Sequence, residues 1–115
     1  MKKITIFALA LLSVCFVSTK TLAAGNYKIV NKISLEGNDK WDYLFSDDST
    51  SRLYVSHGTQ VQVVDEVTGK VIGKISDLKG VHGIAIAPKL NKGFISTKTD
   101  NSVTIFDTNT FEVIK

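Results

Sequence analysis

Cysteine is nearly missing from this chain of 115 residues: Cys15 is the only one, and it sits inside an apolar N-terminal stretch. Beyond residue 24 there is no thiol at all, which excludes disulfide stapling and thiolate metal sites there. Proline is as scarce, with Pro88 alone. No segment beyond residue 24 carries a helical period, so an α-helical or α/β architecture is not indicated. No apolar run reaches the roughly 20 residues that a membrane-spanning helix needs. Chemical signatures are wanting too. No Ser/His/Asp arrangement, phosphate-cradling glycine loop, paired carboxylates or His-x-x-x-His spacing stands out. Neither a metal nor a cofactor is expected.

What is present begins with a leader. Lys2 and Lys3 form a basic start, and residues 4–17 are apolar apart from Thr5 and Ser13. Thr21-Leu22-Ala23-Ala24 then offers small residues for cleavage. This three-part pattern is that of a secretory signal peptide over residues 1–24. It implies a periplasmic or secreted protein with no membrane span after cleavage. A lipoprotein signal also ends its apolar run at a cysteine. Here, however, Val14 stands before Cys15 where a small residue belongs, and Phe16 and Val17 continue the apolar run.

Removing the leader changes the charge. The chain has 14 Lys and Arg against 11 Asp and Glu, but Lys2, Lys3 and Lys20 lie in the leader, leaving 11 against 11. The basic isoelectric point, about 9.0, belongs to the precursor. A neutral mature chain argues against a nucleic-acid partner.

A block of about forty residues occurs twice in residues 25–115. One copy contains Arg52-Leu53-Tyr54-Val55-Ser56, then Val61-Gln62-Val63-Val64-Asp65, closing with Val71-Ile72. The other contains Lys92-Gly93-Phe94-Ile95-Ser96, then Val103-Thr104-Ile105-Phe106-Asp107, closing with Val113-Ile114. Short apolar runs separated by Gly, Asn, Asp and Ser clusters predict strands at 27–35, 41–46, 52–56, 60–65, 70–75, 82–87, 92–96, 102–107 and 111–115. A period of this size built from such strands marks a four-stranded propeller blade. The fold class is therefore all-β. The expected architecture is a β-propeller portion with a lone strand at 27–35 and blades at 41–75 and 81–115. Two blades close no ring, so the expected partners include the remaining blades or further copies of the chain. In the turn after Asp65, Gly69 is placed to adopt positive φ. The second copy has Phe111 there, which leaves Asn109 or an altered turn to supply it. Leu44, Leu53, Val55, Val63, Val71, Ile84, Ile86, Ile95, Ile105 and Val113 are expected to pack between neighbouring blades.

These segments resemble the YVTN-type, YncE-like family of bacterial β-propellers. The matching elements are Leu53-Tyr54-Val55-Ser56-His57, Val61-Gln62-Val63-Val64-Asp65, Thr68-Gly69-Lys70-Val71 and Gly83-Ile84-Ala85-Ile86-Ala87-Pro88. They recur in order over residues 27–115. His57 departs from the family's usual Asn, and Pro88 lacks the Asp-Gly that commonly follows it. Trp41-Asp42 looks like a WD-repeat dipeptide but opens a first strand rather than closing a third.

The resemblance implies an exported, usually seven-bladed ring whose innermost strands line a central channel. Loops 37–42, 56–60, 77–83 and 97–102 then share the face at the channel mouth. Trp41, Asp42, His57, His82, Asp100 and Asn101 are the candidate ligand-binding residues, with Asp39 beside them. Indole, imidazole and carboxylate together suit a binding site. Each also has a plainer role, the indole in packing and the others as turn residues. The function expected is a non-catalytic envelope module that binds a small molecule or another protein. The alternative is an exported propeller enzyme, lactonase-like or cofactor-dependent, with His57, His82 and Asp42 at its centre. Single-strand DNA binding, known among relatives, would need a basic aromatic groove.

Overall fold

A computed structural model describes Gly25, residues 27–38 and residues 40–115. The leader and Asp39 lie outside the described residues. Residues 31–115 belong to one compact unit. Gly25 and residues 27–30 belong to another, where Tyr27 N donates to Gly25 O at 2.6 Å and Tyr27, Ile29 and Val30 are exposed.

The described chain is all-β, with seven strands in two antiparallel sheets. The first sheet is β1 (Trp41–Asp47), β2 (Arg52–His57), β3 (Gln60–Asp65) and β4 (Lys70–Ile75), paired in that order. The second is β5 (Val81–Ala87), β6 (Lys92–Thr97) and β7 (Ser102–Asp107), with a single 3-10 turn, Pro88–Leu90, between its first two strands. Residues 27–35 form no strand, contrary to expectation. A strand exists only through its ladder, and among the described residues none pairs with this segment. Residues 111–115 also fall short of a fourth strand, making one bridge, Phe106 to Val113, with Ile105 bonded to Ile114 and Lys115.

Turn chemistry sets the register. After β3, Asp65 Oδ1 accepts from Thr68 N and Oγ1 at 2.7 and 2.9 Å, and Gly69 takes φ +69°. After β7, Asp107 Oδ1 accepts from Asn109 N and Thr110 N at 2.7 and 3.0 Å. The positive φ, +63°, then falls on Phe111 and not on Asn109. A bulky residue in that region costs about 1–2 kcal/mol. Contacts between the sheets offset it: the Phe111 ring lies against Gly73, and the Arg52 guanidinium sits 5.3 Å above it.

The two sheets stack front to back. Phe45, Tyr54 and Val63 stand side by side across β1, β2 and β3, on the face that meets the second sheet. Their repeat equivalents Ala85, Phe94 and Ile105 also stand side by side, but on the far face of the second sheet. What meets Tyr54 instead is the opposite face, with Ile84, Ile95 and Phe106; the Tyr54 and Phe106 rings are 6.0 Å apart. Val61, Ile75, Leu78 and Val81 complete this core. Of the expected packing residues, Val55, Val63, Ile84 and Ile95 are buried. Leu44, Val71 and Val113 are instead exposed, being on outward faces or at an edge. On the other face of the first sheet, Gln62 Nε2 donates to Glu36 O at 2.6 Å and Gly37 lies against His57, so residues 31–38 run across it.

The β1–β2 turn is held by a buried carboxylate. Asp47 accepts from Ser49 N (3.1 Å), Ser49 Oγ (2.6 Å) and Thr50 Oγ1 (2.7 Å). Burial pulls its carboxyl upward, but these bonds and the Arg52 charge outweigh that and hold it below the usual range. A depressed carboxyl adds stability that is present above the unfolded value of about 3.9 and is lost as pH falls through the lower folded value. The melting temperature should therefore drop below about pH 4, and Asp47→Asn should make that acid-side fall shallower. An unchanged acid slope would show that Asp47 is not its source.

Candidate functional site

The cleft between the two sheets opens at the end where β1 and β5 begin. It is built by a run of backbone hydrogen bonds. Gly58 N donates to Lys40 O at 3.0 Å, and Val81 N donates to Gly58 O at 3.0 Å. Lys98 N then donates to Gly80 O at 2.8 Å. The β2–β3 turn thus ties the starts of β1 and β5, and the β6–β7 turn is tied to the start of β5. Positive φ makes this possible at Gly58 (+57°) and Gly80 (+67°), where a Cβ on Gly80 would press on Thr99 Oγ1.

The first strand of each sheet carries the same irregularity, a register shift between Trp41 and Leu44 in β1 and between Val81 and Ile84 in β5. A serine fills each one. Ser56 Oγ accepts from Tyr43 N at 2.7 Å and donates to Tyr43 O at 3.1 Å. Ser96 Oγ accepts from Gly83 N at 2.9 Å and donates to Gly83 O at 3.4 Å. Such bulges re-aim a side chain. Here the residues re-aimed are Asp42 and His82, which occupy the same place in the two repeats. Asp42 Oδ2 and His82 Nδ1 form a hydrogen bond, both side chains about half exposed.

The cleft encloses about 600 Å3, lined by Lys40, Trp41 and Asp42 from β1 and the residue before it, Gly58 and Thr59 from the β2–β3 turn, and Gly80, Val81, His82 and Lys98. Trp41 is 49 % exposed, and its ring stands perpendicular to that of His57, centroids 3.8 Å apart. His57 is fully buried. Among the described residues no group of three His, Cys, Asp or Glu gathers to hold a metal.

Trp41, Asp42 and His82, expected at the site, line one cleft. His57 stands behind it as a buried support for the indole. Asp100 and Asn101 do not line it; Asp100 Oδ1 accepts from Ser102 Oγ at 3.1 Å, and Asn101 holds φ +48° in the same turn. The Thr97 hydroxyl, then that of Ser102, keeps the Asp100 carboxyl below its usual range. Asp39 is outside the described residues. Lys40, Thr59 and Lys98 were not singled out by sequence. The only signal was loop class: Lys98 follows β6 at the place where Gly58 follows β2.

Comparison with family models, curated proteins and solved structures returns no match.

Proposed function

We propose that this chain carries two successive blades of an exported, YncE-like β-propeller, and that the cleft between them binds a small molecule without transforming it. The observation that carries the reading is the meeting of Asp42 with His82, equivalent residues of successive repeats, beside an exposed indole. Equivalent inner-strand positions converge when repeats are arranged about a common axis. Front-to-back stacking supports the same arrangement. It can continue, because the face of Ala85, Phe94 and Ile105 repeats the one already covered on the first sheet. A sandwich, with like faces meeting, would end after two sheets.

Trp41 is the only tryptophan in the chain, so its indole N–H reports on the cleft alone. A small-molecule fragment screen by 15N NMR should find compounds that shift that resonance saturably. Hits that move only residues distant from the cleft would overturn the reading. The mature exported product should begin at Ala24 or Gly25 on N-terminal sequencing; recovery of intact Met1 in a soluble envelope fraction would overturn the exported assignment.

An enzymatic reading has one observation in its favour. A carboxylate on Nδ1 orients an imidazole for proton transfer at Nε2. Hydrolysis of an ester or lactone panel that disappears in His82→Ala, with the fold intact, would establish it over simple binding.

A further inference from the structure

Resting on the binding reading above, we propose that the cleft is selective for small aromatic carboxylates. Its charge and its shape point to the same class. Lys40 and Lys98 both line the cleft, one just before β1 and one in the β6–β7 turn. Among the described residues of the lining the one carboxylate is Asp42, which is hydrogen-bonded to His82. Among the described residues neither lysine is in an ion pair. The acid nearest Lys98 in sequence, Asp100, is turned to the Ser102 hydroxyl. Among the described lining residues two ammonium groups thus stand against one carboxylate, and an anion is the complement.

The apolar half of the site is equally specific. Trp41 presents half its surface, and its plane is set from behind by the buried His57 ring, against which Gly37 packs. Gly37 has φ +110°, and a Cβ there would collide with the imidazole, so the backbone closes tightly over this support. A pre-set indole beside Val81 is a platform for a flat ring and loses little freedom on binding. A fully hydrated anion such as phosphate would leave this apolar surface uncovered. A volume of about 600 Å3 suits a compact organic ligand.

The probes are phenylacetate, its neutral isostere phenylacetamide, and phenethylammonium, each titrated against the 15N-labelled mature protein while the Trp41 indole resonance is followed. Phenylacetate should bind at least about five-fold more tightly than the amide, the size of one semi-exposed charge interaction. Its affinity should weaken as salt is raised from about 50 to about 500 mM. Lys40→Met and Lys98→Met, both exposed positions, should each remove most of that preference while the remaining amide spectrum is unchanged. Equal binding of the amide, or tighter binding of the ammonium probe, overturns the anion selectivity and leaves the binding reading standing. An indole resonance that responds to none of these probes but to other fragments in the screen overturns the aromatic carboxylate class alone. No response to any compound overturns both.

Discussion

Gly93→Leu is expected to destabilise the protein by about 3 kcal/mol, the upper part of the range for overpacking a core, and Phe106→Val in the same chain should restore most of it. Gly93 lies directly across from Phe106 in the β6–β7 pair, and a Cβ on Gly93 would run into the ring. Phe106 is fully buried and touches Tyr54, so it cannot swing away. The first repeat solves the same position differently, with Leu53 across from Val64. One repeat fills the space with two medium side chains, the other with a large one lying over a glycine, a known way to rescue strand glycine. Phe106→Val alone should cost about 2–4 kcal/mol as a large-to-small change. The double variant rebuilds the first repeat's pair and should come within about 1 kcal/mol of the parent, far from the additive sum. Urea unfolding midpoints measure all four proteins. Additive losses would show that the pair does not share one volume.

Arg52→Ala is expected to cost about 2–3 kcal/mol by loosening the sheets at the end opposite the cleft. Arg52 Nη1 donates to Thr108 O at 2.6 Å, from the first sheet to the segment after β7. Its guanidinium also covers the Phe111 ring. A charge-assisted bond to a carbonyl contributes about 1.5–3 kcal/mol and an exposed cation–π contact about 0.5–1 kcal/mol. Lysine keeps the charge but lacks the planar fork, so Arg52→Lys should recover less than half the loss. Arg52→Ala and Phe111→Ala should be non-additive by about 0.5–1 kcal/mol, since each removes the partner of the other. Thermal unfolding of the two single variants and the double variant tests the tie. Fully additive shifts would mean that the ring and the guanidinium act separately.

The core shows where residue pattern stops being informative. Alternation in Leu53-Tyr54-Val55 places Tyr54 on one face and its neighbours on the other, but both faces of β2 are covered, one by the second sheet and one by residues 31–38. Apolar residues there are buried whichever way they point, so Tyr54, Phe106, Val61 and Ile75 entered the core without a sequence signal separating them from exposed Leu44, Val71 and Val113. The site behaved in the same way. Trp41, Asp42 and His82 were readable as uncommon side chains in equivalent loops. Lys40 and Lys98 were not, because lysine is an ordinary solvated residue until two turns bring a pair of them to one space.

The sequence by itself determined the seven strands between Trp41 and Asp107, their period and the turn after Asp65, because these depend on residues close along the chain: alternating apolar side chains, Asp65 accepting from its own turn, and Gly69 where φ is positive. The tertiary structure alone decided which face of each sheet meets the other. It alone decided that Phe111 rather than Asn109 takes the left-handed conformation, since that strain is offset by Gly73 and Arg52 in the other sheet. It alone decided, too, that Asp42 meets His82 while His57 withdraws behind Trp41. Each of these is a balance between groups well separated along the chain, 16 residues for Trp41 and His57 and 40 for Asp42 and His82, and no local pattern records the energy of such a contact.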